Sequence, residues 1–276
     1  ELRTVPHLPR AWSPLGAGQM LAARDELEQA EALATGDIFE LRMTRLMLER
    51  SGNEWSDRKL SDELDRLIAD YPDVAPARVL YIEIMRMQDW KGKRHRKAIK
   101  DALEAPARNG QVYTHAVDLE MEDFWFDPAA GLAIIEKGLG EFPDDLGLIK
   151  YRVLMLRKLG RLEEALADCR RAHAIAPNHG DFYDEEFEIL EHLGRWDEAI
   201  EATRAKYNLK YQEYLQDDIP LNISRIHHLS GNPGKAAEVL YRALEEDPGW
   251  YYRGAARGRL TALEVSQPGE GVRLLP

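Results

Sequence analysis

The sequence predicts an all-α chain in which helices come in pairs and the pairs stack in series. Three observations carry that prediction. First, KLGRLEEALADCRRAHAIAPN, from Lys158 to Asn178, is answered by HLGRWDEAIEATRAKYN beginning at His192, and aligning Gly160 with Gly194 gives a period of 34 residues. Second, matching residues hold that register: Leu156 with Leu190, Leu159 with Leu193, Glu164 with Glu198 and Ala165 with Ala199. Third, no stretch alternates apolar and polar residues between turn clusters, as strands of a sheet would.

The elements follow in chain order. Residues 1–14 carry three prolines and are expected to be extended. Residues 15–35 (LGAGQMLAARDELEQAEALAT) read as a lone leading helix. A pair follows: 37–50 (DIFELRMTRLMLER), then a helix marked by Leu60, Leu64 and Leu67 and ended by Pro72. Segment 75–90 pairs with 95–105, closed by Pro106, so 15–110 is a run of degenerate repeats. Four clearer units are expected over 111–250, at 112–145, 146–179, 180–216 and 217–250. Pro143 precedes Pro177 by 34, while Gly131, Ile135 and Gly138 give a small–large–small pattern. The last copy centres on Gly231, arriving three residues late through an insertion near 211–216. A closing helix at 251–265 and an irregular tail at 266–276 complete the chain.

These units resemble the tetratricopeptide repeat. Its pattern asks for a bulky residue at position 4, small residues at 8, 20 and 27, a larger one at 24 and proline at 32. Unit 146–179 supplies Ile149, Val153, Ala165, Cys169, Ala172 and Pro177, and unit 217–250 supplies Ser224, Ala236, Leu240, Ala243 and Pro248. Small residues let two helices approach closely, larger ones fill between them, and proline stops the second helix. One hairpin cannot bury its apolar face alone, so units must stack. The resemblance implies a right-handed superhelical solenoid of helix-turn-helix repeats. Unit 180–216 departs from the pattern: Lys206 stands in place of alanine and Tyr211 in place of proline, so its second helix is expected to run on into 208–214.

Composition sets outer bounds. With 37 basic against 49 acidic residues the net charge is −12, which argues against broad phosphate binding and for cationic partners or plain solubility. Cys169 is the one cysteine and cannot form an internal disulfide. No apolar run approaches the roughly 18 residues of a membrane span, so no membrane insertion is expected. A chain that opens on Glu1 reads as processed or trimmed, and the cytoplasm is favoured over the periplasm.

No catalytic constellation stands out. Cys169 occupies an inward position and reads as an inert thiol rather than a nucleophile. His227 and His228 are adjacent and point about 100° apart on a helix, which does not suit a shared metal. No zinc spacing, phosphate loop or nucleophile elbow is present. The basic stretch KGKRHRKAIK at 91–100 fits either an anionic partner or a solvated helix start; it lacks interleaved aromatics for base stacking, so no nucleic acid is expected. No metal, no cofactor and no enzymatic activity are expected.

The resemblance implies that first helices line a concave groove through positions 2, 5, 9, 12 and 13. Those positions hold Tyr113, Glu120, Asp123 and Phe124, then Lys150, Leu154, Arg157 and Lys158. Next come Asp181, Asp184, Glu188, Glu191 and His192, and lastly Asp218, Leu221, Arg225 and His228. The carboxylate clamp that holds chaperone tails wants Lys, Asn and Asn; Lys150 is present, but Leu154 and Glu185 take the other places. The expected function is a non-catalytic scaffold holding a protein or peptide, partners with basic segments included, with Tyr113, Phe124 and Tyr183 as aromatic anchors. A regulatory or substrate-handling module of an enzyme system, a polysaccharide-binding envelope protein, and a self-associating array are the alternatives. The basic and acidic groove residues could equally well neutralise each other across neighbouring helices.

Overall fold

Small residues at matching repeat positions should lie where helices touch, and they do: Ala165, Ala199 and Ala236 are fully buried. A computed structural model describes residues 17–34, 36–51, 56–89, 92–121, 126–207 and 219–266. Among these residues there are fourteen helices and no strand. The chain divides into two compact units, Glu1–Phe126 and Asp127–Pro276.

The first unit holds α1 (Ala17–Leu33), α2 (Phe39–Ser51), α3 (Asp57–Asp70), α4 (Pro76–Gln88), α5 (Lys93–Glu104) and α6 (Gly110–Met121). Each helix packs on the next in sequence, as short connections favour. Leu60, Leu64 and Leu67 form the buried stripe of α3, while α4 offers Ala77, Leu80, Ile82 and Met85 to its neighbours. Capping chemistry sets several helix starts: Ser56 Oγ accepts from Lys59 N–H at 3.3 Å, and Pro76 opens α4 where a missing N–H costs nothing. The basic stretch proves to be the start of α5, where Lys97 pairs with Asp101 and Lys100 with Glu104 one turn on, all four exposed. Lys91 lies outside the described residues.

The second unit holds α7 (Pro128–Glu141), α8 (Leu146–Lys158), α9 (Leu162–Ile175), α10 (Asp181–His192), α11 (Trp196–Tyr207), α12 (Ile219–Leu229), α13 (Pro233–Glu246) and α14 (Arg253–Ser266). Hairpins α8–α9, α10–α11 and α12–α13 stack through α9 on α10 and α11 on α12. Their tight turns are alike in detail. Gly160, Gly194 and Gly231 sit at φ 72°, 67° and 78°, the left-handed region that glycine enters without a Cβ penalty. In each turn the glycine N–H donates to the carbonyl three residues back, and the next N–H reaches five back: Arg161 to Leu156, Arg195 to Leu190 and Asn232 to His227, at 2.8–2.9 Å. That double bond pattern satisfies carbonyls that the helix end would otherwise strand.

Between the helices the core is continuous. Ile149, Val153 and Leu156 of α8 meet Ala165, Cys169 and Ala172 of α9, all inaccessible to water. At the far end Ala256, Leu260 and Leu263 of α14 close over Leu240 and Trp250, giving the array a last apolar layer. The hairpin expected over 112–145 has its two helices, α6 and α7, in different compact units. The expected extension into 208–214, the residues 1–14 and most of the tail lie outside the described residues.

Candidate functional site

On the second unit, the first helices α8, α10 and α12 are tied together by charge. Lys150 of α8 reaches Asp181 of α10 at 2.6 Å. Arg157, in the last turn of α8, pairs with both Glu185 and Glu188 of α10. From the other side, Arg225 of α12 pairs with Glu191 at 3.3 Å and lies 5.0 Å from the centre of the Phe187 ring. Lys206 of α11 pairs with Asp184 at 2.6 Å. The neutralising arrangement across neighbouring helices is therefore the one observed. These pairs are mostly half-exposed, so each contributes little stability, about 0–1 kcal/mol. They nevertheless shift charge states: the hydrogen bond from Lys150 holds the Asp181 carboxyl below its ordinary range. Burial opposes the Arg157 charge, but Glu185 and Glu188 outweigh it and hold the guanidinium above its ordinary value.

Between α10, α11 and α12 lies a cavity of about 300 Å³, lined by Tyr183, Asp184, Phe187, Glu188, Thr203, Lys206 and Asn222. Its origin is legible in the repeat register. Position 8 is a fully buried Val153 in the preceding unit and a fully buried Ser224 in the following one. Here it is Phe187, half-buried on the cavity wall. Positions 24 and 27 carry Thr203 and Lys206 where the preceding unit has Cys169 and Ala172. Three substitutions at helix-contact positions thus fall on one spot, and the helices there leave space rather than close it.

The wall is held in place from behind. Tyr183 stacks on His173 with ring centroids 3.8 Å apart, and its hydroxyl donates to the Pro177 carbonyl at 3.3 Å. His173 Nε2 is 2.9 Å from the Glu186 carboxylate, which also accepts from Arg170 at 3.4 Å. Glu186 is itself buried, so this chain of contacts is rigidly supported. Thr203 donates its hydroxyl to the Ala199 carbonyl at 2.8 Å.

The predicted groove residues fare unequally. Lys150, Arg157, Asp181, Asp184, Glu188, Glu191 and Arg225 are brought together in the ion-pair set. Leu154 is half-buried on α8, while Lys158, His192 and His228 are exposed at first-helix ends, with His192 Nδ1 2.7 Å from the Glu188 carbonyl. Tyr113 requires correction: it is fully buried, together with Val112, Ala116 and Val117, on the inner face of α6. A ring inside the first unit's core is packing, not an anchor for a partner. Glu120 is exposed on the same helix. Asp123, Phe124 and Asp218 lie outside the described residues. Sequence reasoning left Phe187, Thr203 and Asn222 off the candidate surface. The signal that could have found the first two is the failure of positions 8 and 24 to match the repeat.

Cys169, the obvious nucleophile, lies inside the core, and burial followed by the nearby Glu186 and Glu185 pushes its thiol up to about 12. Among the described residues no three His, Cys, Asp or Glu side chains gather as a metal site would need.

No family profile matches the sequence, and comparison with curated proteins returns no match. Solved structures do resemble it. YrrB, described as a tetratricopeptide-repeat protein with an unusual peptide-binding site, superposes with a TM-score of 0.52 at 19% identity, covering 72% of this chain and 99% of its own. The fold is that of the tetratricopeptide repeat. A chain of the Cut9–Hcn1 hetero-tetramer of the APC/C matches with a TM-score of 0.54 at 11% identity, covering 88% of this chain and 46% of its own. Seen as such repeats, α8, α10 and α12 are the first helices of successive units, and the cavity sits inside the least regular of them.

Proposed function

We propose that this chain is a non-catalytic tetratricopeptide-repeat protein that holds a peptide segment of a partner on the first-helix face of its second unit, centred on the Phe187 cavity. One observation carries the reading. At positions 8 and 27, where repeat packing calls for small residues, the chain instead has Phe187 and Lys206, and at position 24, where it calls for a larger apolar one, it has Thr203, around about 300 Å³ of open space. Packing rules broken together at one spot mark functional sites more often than defects. An apolar wall with a few fixed polar groups is what a recognition pocket needs, and the peptide-binding site described for YrrB supports the assignment.

The test is selection of a phage-displayed random peptide library on the immobilised full chain. Peptides should be recovered that bind the chain and lose binding to Phe187→Ala, whose circular dichroism is checked for an intact fold. Recovery of no peptide that depends on Phe187 would refute the proposal.

A further inference from the structure

We infer that the Phe187 cavity takes the side chain of a partner's arginine or lysine, held against the Tyr183–Phe187 wall and the carboxylate of Glu188. This rests on the peptide-binding reading above and adds the chemistry of what is bound. Two independent features point to a cation. The first is a charge imbalance: the five ion pairs around the cavity join four cations to five carboxylates, because Arg157 serves both Glu185 and Glu188. Among these described residues one carboxylate's worth of negative charge is therefore left over. Lys206, which lines the cavity and would repel a cation, is already neutralised by Asp184 at 2.6 Å.

The second feature is a precedent within the site. Arg225 already rests over the Phe187 ring at 5.0 Å while its guanidinium pairs with Glu191. An aromatic face beside a carboxylate is thus a cation seat that this chain already uses on its own account. The cavity repeats the combination. Tyr183 and Phe187 are one turn apart on α10, and Asp184 and Glu188 follow each of them by one residue, so ring and carboxylate alternate along one strip of helix. An acidic side chain would meet that strip unfavourably, and a purely apolar one would make no use of its carboxylates.

The probe is the set of peptides recovered in the selection that depend on Phe187. Each arginine is replaced by citrulline and each lysine by norleucine, which keep the aliphatic stem and remove the charge. One basic position should emerge whose neutral replacement weakens binding about tenfold or more. Glu188→Gln, at a side chain that is 52% exposed, should cause a similar loss. In the double-mutant cycle the two losses should not add, because both remove the same contact. Peptides that need Phe187 but bind within about twofold after every neutral replacement would overturn the inference and leave peptide binding standing. So would peptides that depend on an acidic residue and on Lys206. If no peptide depends on Phe187, both readings fall together.

Discussion

Glycine-to-alanine substitution should have opposite signs at two places in the second unit, and the backbone alone decides which. At Gly160 a Cβ would meet no atom within 4 Å, yet φ is 72°. The cost is then purely conformational, about 1–2 kcal/mol for an L-residue held in the left-handed region. At Gly258, exposed within α14, a Cβ would also meet nothing within 4 Å, and the residue lies in ordinary helix. There alanine should stabilise, by roughly 0.5–1 kcal/mol, because glycine loses more backbone freedom on folding. For a folding unit of this size Gly160→Ala should lower the melting temperature by roughly 2–8 °C. Gly160→Asn should recover part of that, since asparagine tolerates the left-handed region. Gly194 and Gly231 share the same turn and no partners with Gly160, so a triple alanine variant should show close to the summed loss. Thermal and urea unfolding followed by far-ultraviolet circular dichroism reads all of these. If Gly160→Ala and Gly258→Ala move the midpoint in the same direction, the turns are not governed by the backbone geometry described.

Two further outcomes follow from buried titratable groups. The Cys169 thiol, pushed up to about 12, should resist maleimide at pH 8 in the native chain and react promptly in denaturant; fast native labelling would show that its layer of the core opens readily. In the first unit, burial lowers His115 against the pull of Glu83 and Asp118, and lowers His95 with help from the His115 charge. Below the ordinary imidazole value of about 6.5 the unfolded chain binds protons that the folded chain refuses, so stability should fall as pH drops from 7.5 towards 5. A His115→Asn variant should show a shallower fall, and a slope equal to that of the unsubstituted chain would exclude His115 as a source.

Much of the fold was legible because close helix contact demands particular side chains at particular offsets. Ala165, Ala199 and Ala236 declare themselves by size, and the three glycines by the conformation their turns require. Tyr113 was misplaced for a related reason. The matches that place unit 112–145 (Gly131, Ile135, Gly138 and Pro143) all lie in its second helix and leave the first loosely registered, and an error of one position on a helix turns a side chain by about 100°. α6 buries residues 112, 113, 116 and 117, so Tyr113 belongs to its inner face. The ion pairs were harder still. Arg157 could have met any of several carboxylates on the next helix, and only side-chain geometry shows that it takes Glu185 and Glu188. The cavity shows the same limit from the other side: Phe187 and Lys206 reveal a mismatch in the repeat, but whether neighbours close over a mismatch depends on packing that spacing does not encode.

The charged pairs on α8, α10 and α12 cross from one helix to another instead of running along a single one. They act as ties between repeats, and a guest that claims Glu188 must share it with Arg157 or displace it. On the proposed reading, occupancy and that tie are then thermodynamically linked: whatever loosens the Arg157–Glu188 pair makes room for the guest, and the guest in turn loosens the pair. Ionic strength would tune both at once.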